Sequence, residues 1–168
     1  MLATIGYERS TLPDFIATLR LAGTTVLVDI RDRAQSRRPG FSKTSLSEAL
    51  SEAGILYVHL RQLGDPAEGR AAARSGQRQL FQEIFGEVMK TDAAADALDK
   101  IEQLTQSSSV CLMCFERDHH DCHRKIVAEA LENRLGIKAR HLGVSLGAAN
   151  GGSKRRMLHS DQGAASSL

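Results

Sequence analysis

Val110-Cys-Leu-Met-Cys-Phe-Glu-Arg-Asp-His-His-Asp-Cys-His-Arg124 runs from an apolar, strand-like segment through a polar loop into a helical pattern. Strand, loop and helix N-terminus, in that order, form the repeating unit of open parallel α/β sheets, and the loop is where such sheets bind ligands. Two of the three cysteines and three of the six histidines lie between Cys114 and Arg124. The stretch therefore predicts a fold class and the position of a functional site together.

The same alternation extends outward in both directions. Leu2 to Gly6 reads as a strand. A helix follows, capped near Thr11 or Leu12, with Pro13 in its first turn and Phe15, Ile16 and Leu19 at helical spacing up to Gly23. Thr25-Val-Leu-Val-Asp-Ile30 is a nearly continuous apolar run, as expected of a strand covered on both faces. A helix from about Lys43 to Ala53 and a strand from Ile55 to Leu60 come next. Gly64 to Gly76, rich in Gly, Ala and Arg, reads as a loop, and helices are predicted over Gln77 to Lys90 and Ala93 to Gln106. The strand Val110 to Phe115 leads to a helix with Asp121 as N-cap and Gly136 as its stop, then to a short strand over Lys138 to Leu142. The predicted fold is a single-domain, three-layer α/β sandwich over residues 1–143, Rossmann-like or flavodoxin-like, with a mainly parallel central sheet. Residues 144–168 lose all hydrophobic period and are expected to be a disordered tail. Its Lys154-Arg-Arg156 is either solvated or a nucleic-acid contact.

Bulk composition narrows the function classes. The chain has 168 residues, 42% hydrophobic and 25% charged, which suits one globular domain. No apolar run reaches the length of a membrane span, and Met1 to Gly6 lacks the basic n-region of a signal peptide. Three cysteines, an odd number, argue against a disulfide framework and for the reducing cytoplasm. The net charge of +2 resides in the tail, so general basic character gives no reason to invoke nucleic acid. The 4% aromatic content and the absence of tryptophan weigh against an extended base-stacking platform for single strands.

The chemistry collects at strand ends. Tyr7 and Glu8 follow the first strand, and Arg31, Arg37 and Arg38 follow the second. His59 ends the third strand, and Glu116, Cys122, His123 and Arg124 follow the fourth. In a parallel sheet these groups share one carboxyl edge, where a crevice forms. Arg31, Arg37, Arg38 and Arg124 are expected to bind an anion by bidentate guanidinium contacts, with Tyr7 and His59 beside them. Each also has a structural reading, such as an Arg31 pair with Asp29 or Glu8. Glu116 and Glu8 are candidate general acid–base groups, with His123 or His59 as alternatives. Cys122, beside a helix N-terminus and Arg124, is a candidate nucleophile or a structural thiol. A rival use of the same atoms is a zinc-like set of Cys114, Cys122, His123 and either His119 or His120, but the spacing fits no standard metal knuckle and no metal is predicted. Cys111 is read as core.

Several motifs carry a family resemblance. Thr4-Ile-Gly-Tyr7 with Phe15, Leu27-Val-Asp-Ile-Arg31, Ser36-Arg-Arg-Pro-Gly-Phe-Ser-Lys43, Gly54-Ile-Leu-Tyr-Val-His59, and Cys114-Phe-Glu-Arg117 with Cys122-His-Arg124 resemble the DUF488 family, in the family's order. Ala34 departs from the proline that many members carry in that loop. The resemblance implies the fold and the site and assigns no chemistry. The reading reached from the sequence is an enzyme of hydrolase or transferase type. Its substrate bears phosphate or another anion, such as a nucleotide or nucleic-acid component. The alternatives are a non-catalytic nucleotide or nucleic-acid binding module and a metal-bound thiol site. Cofactor and oligomeric state are not legible, and no membrane partner is expected.

Overall fold

The computed structural model describes residues 1–151. Thirteen elements alternate along them: β1 (Leu2–Gly6), α1 (Leu12–Leu21), β2 (Val26–Asp29), α2 (Lys43–Glu52), β3 (Leu56–His59), a 3-10 turn (Arg61–Leu63), α3 (Ala67–Arg74), α4 (Arg78–Met89), α5 (Asp92–Thr105), β4 (Val110–Cys114), a second 3-10 turn (His119–Asp121), α6 (His123–Leu135) and β5 (Arg140–Leu142). The five strands form one sheet in the order β3-β2-β4-β1-β5. Every pairing is parallel. This is the predicted class, and among the described residues no helix is long and apolar enough to cross a membrane.

Alternation along the strands sorts the core into two layers. Leu2, Val26, Val28, Val110 and Leu112 face a core shared with Phe81, Phe85, Leu98, Ile101 and Leu131, on the side of α3 to α6. Ala3, Ile5, Leu27, Cys111 and Met113 face the other way, onto Phe15 and Leu19 of α1 and Leu46 and Leu50 of α2. The apolar runs of β1, β2 and β4 follow from this covering on both faces. The edge strand β3 is only partly buried, and its Leu56 is exposed.

Local chemistry sets the helix ends. Thr11 Oγ1 accepts the Asp14 amide at 3.3 Å and caps α1, while Pro13 fills the first turn. Gly136 ends α6 at φ 66°, a conformation open to glycine.

Three sequence expectations are corrected. Gly64 to Gly76 contains the helix α3, because Arg70-Ala-Ala-Ala-Arg74 is strongly helix-forming. The glycine that suggested a loop, Gly69, sits inside α3 because a Cβ there would overlap the Asp65 carboxylate. The N-cap of α6 is Cys122, whose sulfur accepts the Arg124 amide at 3.3 Å, and not Asp121, which pairs with Arg78 at 2.8 Å. Finally, residues 144–151 are packed against the domain. Val144 is buried in the α1 and α2 core. The amides of Gly147 and Ala149 donate to Asp14, and that of Ser145 donates to Thr18. Anchoring by polar side chains of α1 carries no hydrophobic period, so it left no trace in the pattern. Lys154-Arg-Arg156 lies outside the described residues.

Where β4 passes β1, contact is close enough to exclude a side chain. A Cβ at Gly6 would overlap the Glu116 carbonyl and lie 2.6 Å from Arg124 Nη1. Gly6→Ala is expected to lower stability in a urea titration by about 1–3 kcal/mol, the usual cost of overpacking. Gly86→Ala in α4, where an added Cβ meets nothing within 4 Å, is expected to be neutral or to stabilise by up to about 1 kcal/mol.

Candidate active site at the carboxyl edge

On the α1 and α2 side, the strand ends are organised by one buried ion pair. Arg31 donates Nε to Asp29 Oδ1 at 2.9 Å and Nη2 to Oδ2 at 2.7 Å. Its Nη1 donates to the Phe41 carbonyl at 2.8 Å and to Tyr7 Oη at 3.1 Å. Tyr57 Oη donates to Asp29 Oδ2 at 2.6 Å, and the Tyr7 ring stacks on Phe41 at 4.4 Å. Burial opposes the charge of Arg31, but the bonds and charge of Asp29 outweigh it and raise its pKa further. Burial first, then the Asp29 charge, holds Tyr57 protonated well above the ordinary phenol range. His59 Nε2 lies 2.8 Å from the Arg31 carbonyl. A carbonyl only accepts, so Nε2 carries the proton.

The expected four-arginine fork is therefore not assembled. Arg31 and Arg124 do share the carboxyl edge, but they occupy opposite faces of the sheet. Arg31 lies with Tyr7 and Phe41 of the α1 and α2 core, whereas Arg124 opens α6 and approaches Gly6 from the other side. Both are buried, and their donors are largely spent internally. Arg124 Nη1 donates to the Glu116 carbonyl at 3.1 Å and to Cys114 Sγ at 3.5 Å, and Nη2 to the Arg117 carbonyl at 3.4 Å. Its buried Nε has no partner. Arg38 Nε donates to the Ser10 carbonyl at 2.6 Å, and Arg37 is exposed.

On the α3 to α6 side, reactive groups converge. Cys114 and Cys122 place their sulfurs 2.6 Å apart, and the Glu116 carboxylate lies within 4.8 Å of both. Burial, then the neighbouring Cys114, pushes the Cys122 thiol well above its ordinary value. Of the two readings of Cys122, nucleophile or structural thiol, this environment fits a protonated thiol that caps α6. His123 Nε2 donates to the Ile30 carbonyl at 2.9 Å, and burial keeps the ring neutral. Its Nδ1, left as an acceptor, faces Cys122 Sγ at 3.7 Å. The rival zinc-like set is not brought together: Glu116 and not His123 converges on the two sulfurs, and His119 and His120 gather with Asp118.

The residue that sequence reasoning missed is Asp65. It is buried, and its Oδ1 has no hydrogen-bond partner. Burial raises its carboxyl to about 7, Glu116 and Asp32 repel its charge, and Arg70 only partly offsets them. Asp32 is held low by Arg61 and Arg70, at 3.2 Å each, against the opposing effect of burial. Asp65, Asp32 and Glu116 thus stand together where β2 and β4 end. From there the chain turns to β3 in one direction and to β5 in the other, the switch point at which parallel sheets open a crevice. Gly64-Asp-Pro66 was legible only as a turn. The useful signal was its place soon after the third strand, beyond the Arg61–Leu63 turn.

A cavity of about 540 Å³ lies along the same edge, over β1 and β5, lined by Glu8, Arg9, Arg117, Asp118 and the histidines 119, 120 and 141. Arg9 adopts a left-handed φ of 60° there. Glu8 is a structural ligand of this wall, since its Oε2 accepts the Arg117 amide at 3.0 Å. The His119 and His141 rings stack at 3.7 Å, and burial lowers the pKa of both.

A family model described as a domain of unknown function, DUF488, matches residues 11–131. The chain belongs to the DUF488 family. No curated protein and no solved structure matches it. In this DUF488 protein the Leu27-Val-Asp-Ile-Arg31 motif builds the buried ion pair, and Cys122-His-Arg124 builds the start of α6.

Arg31→Gln is expected to destabilise the protein by about 3–5 kcal/mol in chemical denaturation, because it strands the Asp29 charge in the core. Asp65 gives a pH test with a definite sign. Its folded pKa lies above its unfolded value, so the stability it contributes is full below about 3.8 and lost as pH rises through about 7. Asp65→Asn should therefore gain stability relative to the parent between about pH 5 and about pH 8 in paired melts. Parallel pH profiles for the two proteins would refute this account.

Proposed function

We propose that this protein is an acid–base enzyme of hydrolase or transferase type, acting on an anionic substrate such as a nucleotide or nucleic-acid component. The observation that carries the reading is Asp65, a buried carboxyl with an unpartnered oxygen, beside Glu116 and Asp32 at the β2–β4 switch point. Carboxylates whose environments push their pKa values apart divide the labour of proton transfer. Asp65, protonated up to about pH 7, is the general acid that protonates a leaving group. Glu116 is the base that takes a proton from water or an acceptor hydroxyl. His123, neutral and aimed by Ile30, positions Cys122 and the start of α6.

Anion recognition moves away from Arg31 and Arg124, which are buried with most of their donors engaged, and from Arg38, whose Nε is held by the Ser10 carbonyl. Among the described residues no hydrogen bond or ion pair engages the Arg9 and Arg117 guanidinium groups, which line the neighbouring cavity, and Arg37 is exposed at the same edge. The loop after β4 serves both places: Glu116 turns to the carboxylates and Arg117 to the cavity. Guanidinium groups bind phosphate or carboxylate bidentately, which favours this substrate class over a neutral one.

The test is turnover of nucleoside phosphates, sugar phosphates and an aryl phosphate by the parent, Asp65→Asn and Glu116→Gln. Each variant should lose at least about 100-fold in kcat, the range for a lost general acid or base, while calorimetric affinity for the same compound persists. The parent's activity should fall as pH rises above about 7. Binding by the parent without turnover would establish the non-catalytic module instead. Full activity in both variants would end the acid–base assignment.

A further inference from the structure

We infer that Cys114 and Cys122 are a dithiol that closes reversibly to an intramolecular disulfide. The Sγ atoms are 2.6 Å apart, well inside the contact distance of two non-bonded sulfurs. Both side chains are buried, so the contact is enforced by packing rather than by chance on a mobile surface. Cys114 is the last residue of β4, and Cys122 is the N-cap of α6. The eight-residue step between them is held from both ends. The β1–β4 register fixes Cys114 opposite Gly6, and the Arg124 amide donates to Cys122 Sγ. A Cα beside Gly6 and a helix cap are both rigid supports, so the sulfurs meet without a hinge motion.

The surroundings favour this chemistry over a resident nucleophile. Arg124 Nη1 lies 3.5 Å from Cys114 Sγ, and α6 presents its N-terminal amides to Cys122, so a transient negative charge on either sulfur meets a positive field. Burial opposes the resting thiolate of Cys122, which leaves the reduced pair quiet until an oxidant arrives. Cys111 is also buried, but it faces the α1 and α2 core, on the other side of the sheet from this pair.

The oxidant is a hydroperoxide. Cys122, the less enclosed of the two, loses its proton, attacks the peroxide oxygen and breaks the O–O bond, releasing water and leaving a sulfenic acid. Cys114 sulfur then attacks that sulfur, its proton leaves with the departing hydroxide as a second water, and the S–S bond forms. Two thiols and one hydrogen peroxide give one disulfide and two waters; sulfur is oxidised and peroxide oxygen reduced. A thiol such as dithiothreitol reverses the reaction by exchange. Closure clamps the loop that carries Glu116, and the claim stands whether or not Glu116 proves to be a base.

The experiment uses the full chain and its Cys111→Ser variant, reduced, desalted and exposed to stoichiometric hydrogen peroxide. The protein is then denatured and alkylated for intact mass and tryptic mapping. Reduced parent should take three alkyl groups and oxidised parent one, with dithiothreitol restoring three. Oxidised Cys111→Ser should take none, and its peptide ending at Arg117 should be linked to the one spanning Asp118 to Arg124. Full alkylation after peroxide, a bridge through Cys111, or a dimer linked between chains would overturn the inference. So would a metal ion held by the freshly reduced pair in native mass spectrometry that prevents closure.

Discussion

The burial of Asp29 and Arg31 is the constraint around which one half of this protein is arranged. A carboxylate and a guanidinium cannot leave water cheaply, and their mutual attraction repays that cost only when the remaining donors and acceptors are satisfied. Here they are. Tyr57, Tyr7 and the Phe41 carbonyl complete the set, so residues from three other segments are drawn to the end of β2. The loop from Arg31 to Phe41 owes its course to this network, and the aromatic stack of Tyr7 on Phe41 follows from it. Stability and placement are thus the work of residues that look like ligand-binding groups.

Across the sheet the logic is reversed. Asp65 is buried, though less deeply than Asp29; its enclosed Oδ1 has no partner, and its neighbours include two further carboxylates. Gly64 and Gly69 are both constrained by this arrangement: a Cβ at either would strike Asp32 or Asp65. Of the two buried acids on this sheet edge, one is satisfied by a full set of partners and the other is exposed to repulsion. The pair of thiols and the neutral His123 belong to this second side.

The β4–α6 connection joins the two concerns. Its backbone carbonyls hold Arg124, its Glu116 side chain faces the carboxylates and sulfurs, and Arg117 and Asp118 turn to the cavity over β1 and β5. Close passage of Gly6 under this loop sets its height above the sheet. Small changes in the loop therefore reach the buried carboxylates, the thiols and the cavity wall together.

Much of this was legible in the residues alone. The apolar runs of β1, β2 and β4 and the cap of α1 are local signals, and covering on both faces made the strands strong ones. Parallel alternation also determined that Glu8, Arg31, His59, Glu116 and Arg124 would share one edge, since every strand of such a sheet points the same way. What only the tertiary structure decided is which face of the sheet each residue occupies and which partner it meets there. Arg31 and Arg124 were separated by the sheet itself, and Asp65 was delivered to Glu116 by a strand order no local pattern encodes. The anchoring of residues 144–151 by Asp14 and Thr18 was equally hidden. The physical reason is common to all three. Propensity and periodicity act between near neighbours, whereas desolvation and hydrogen-bond satisfaction are settled by groups that the folded chain brings together from far apart.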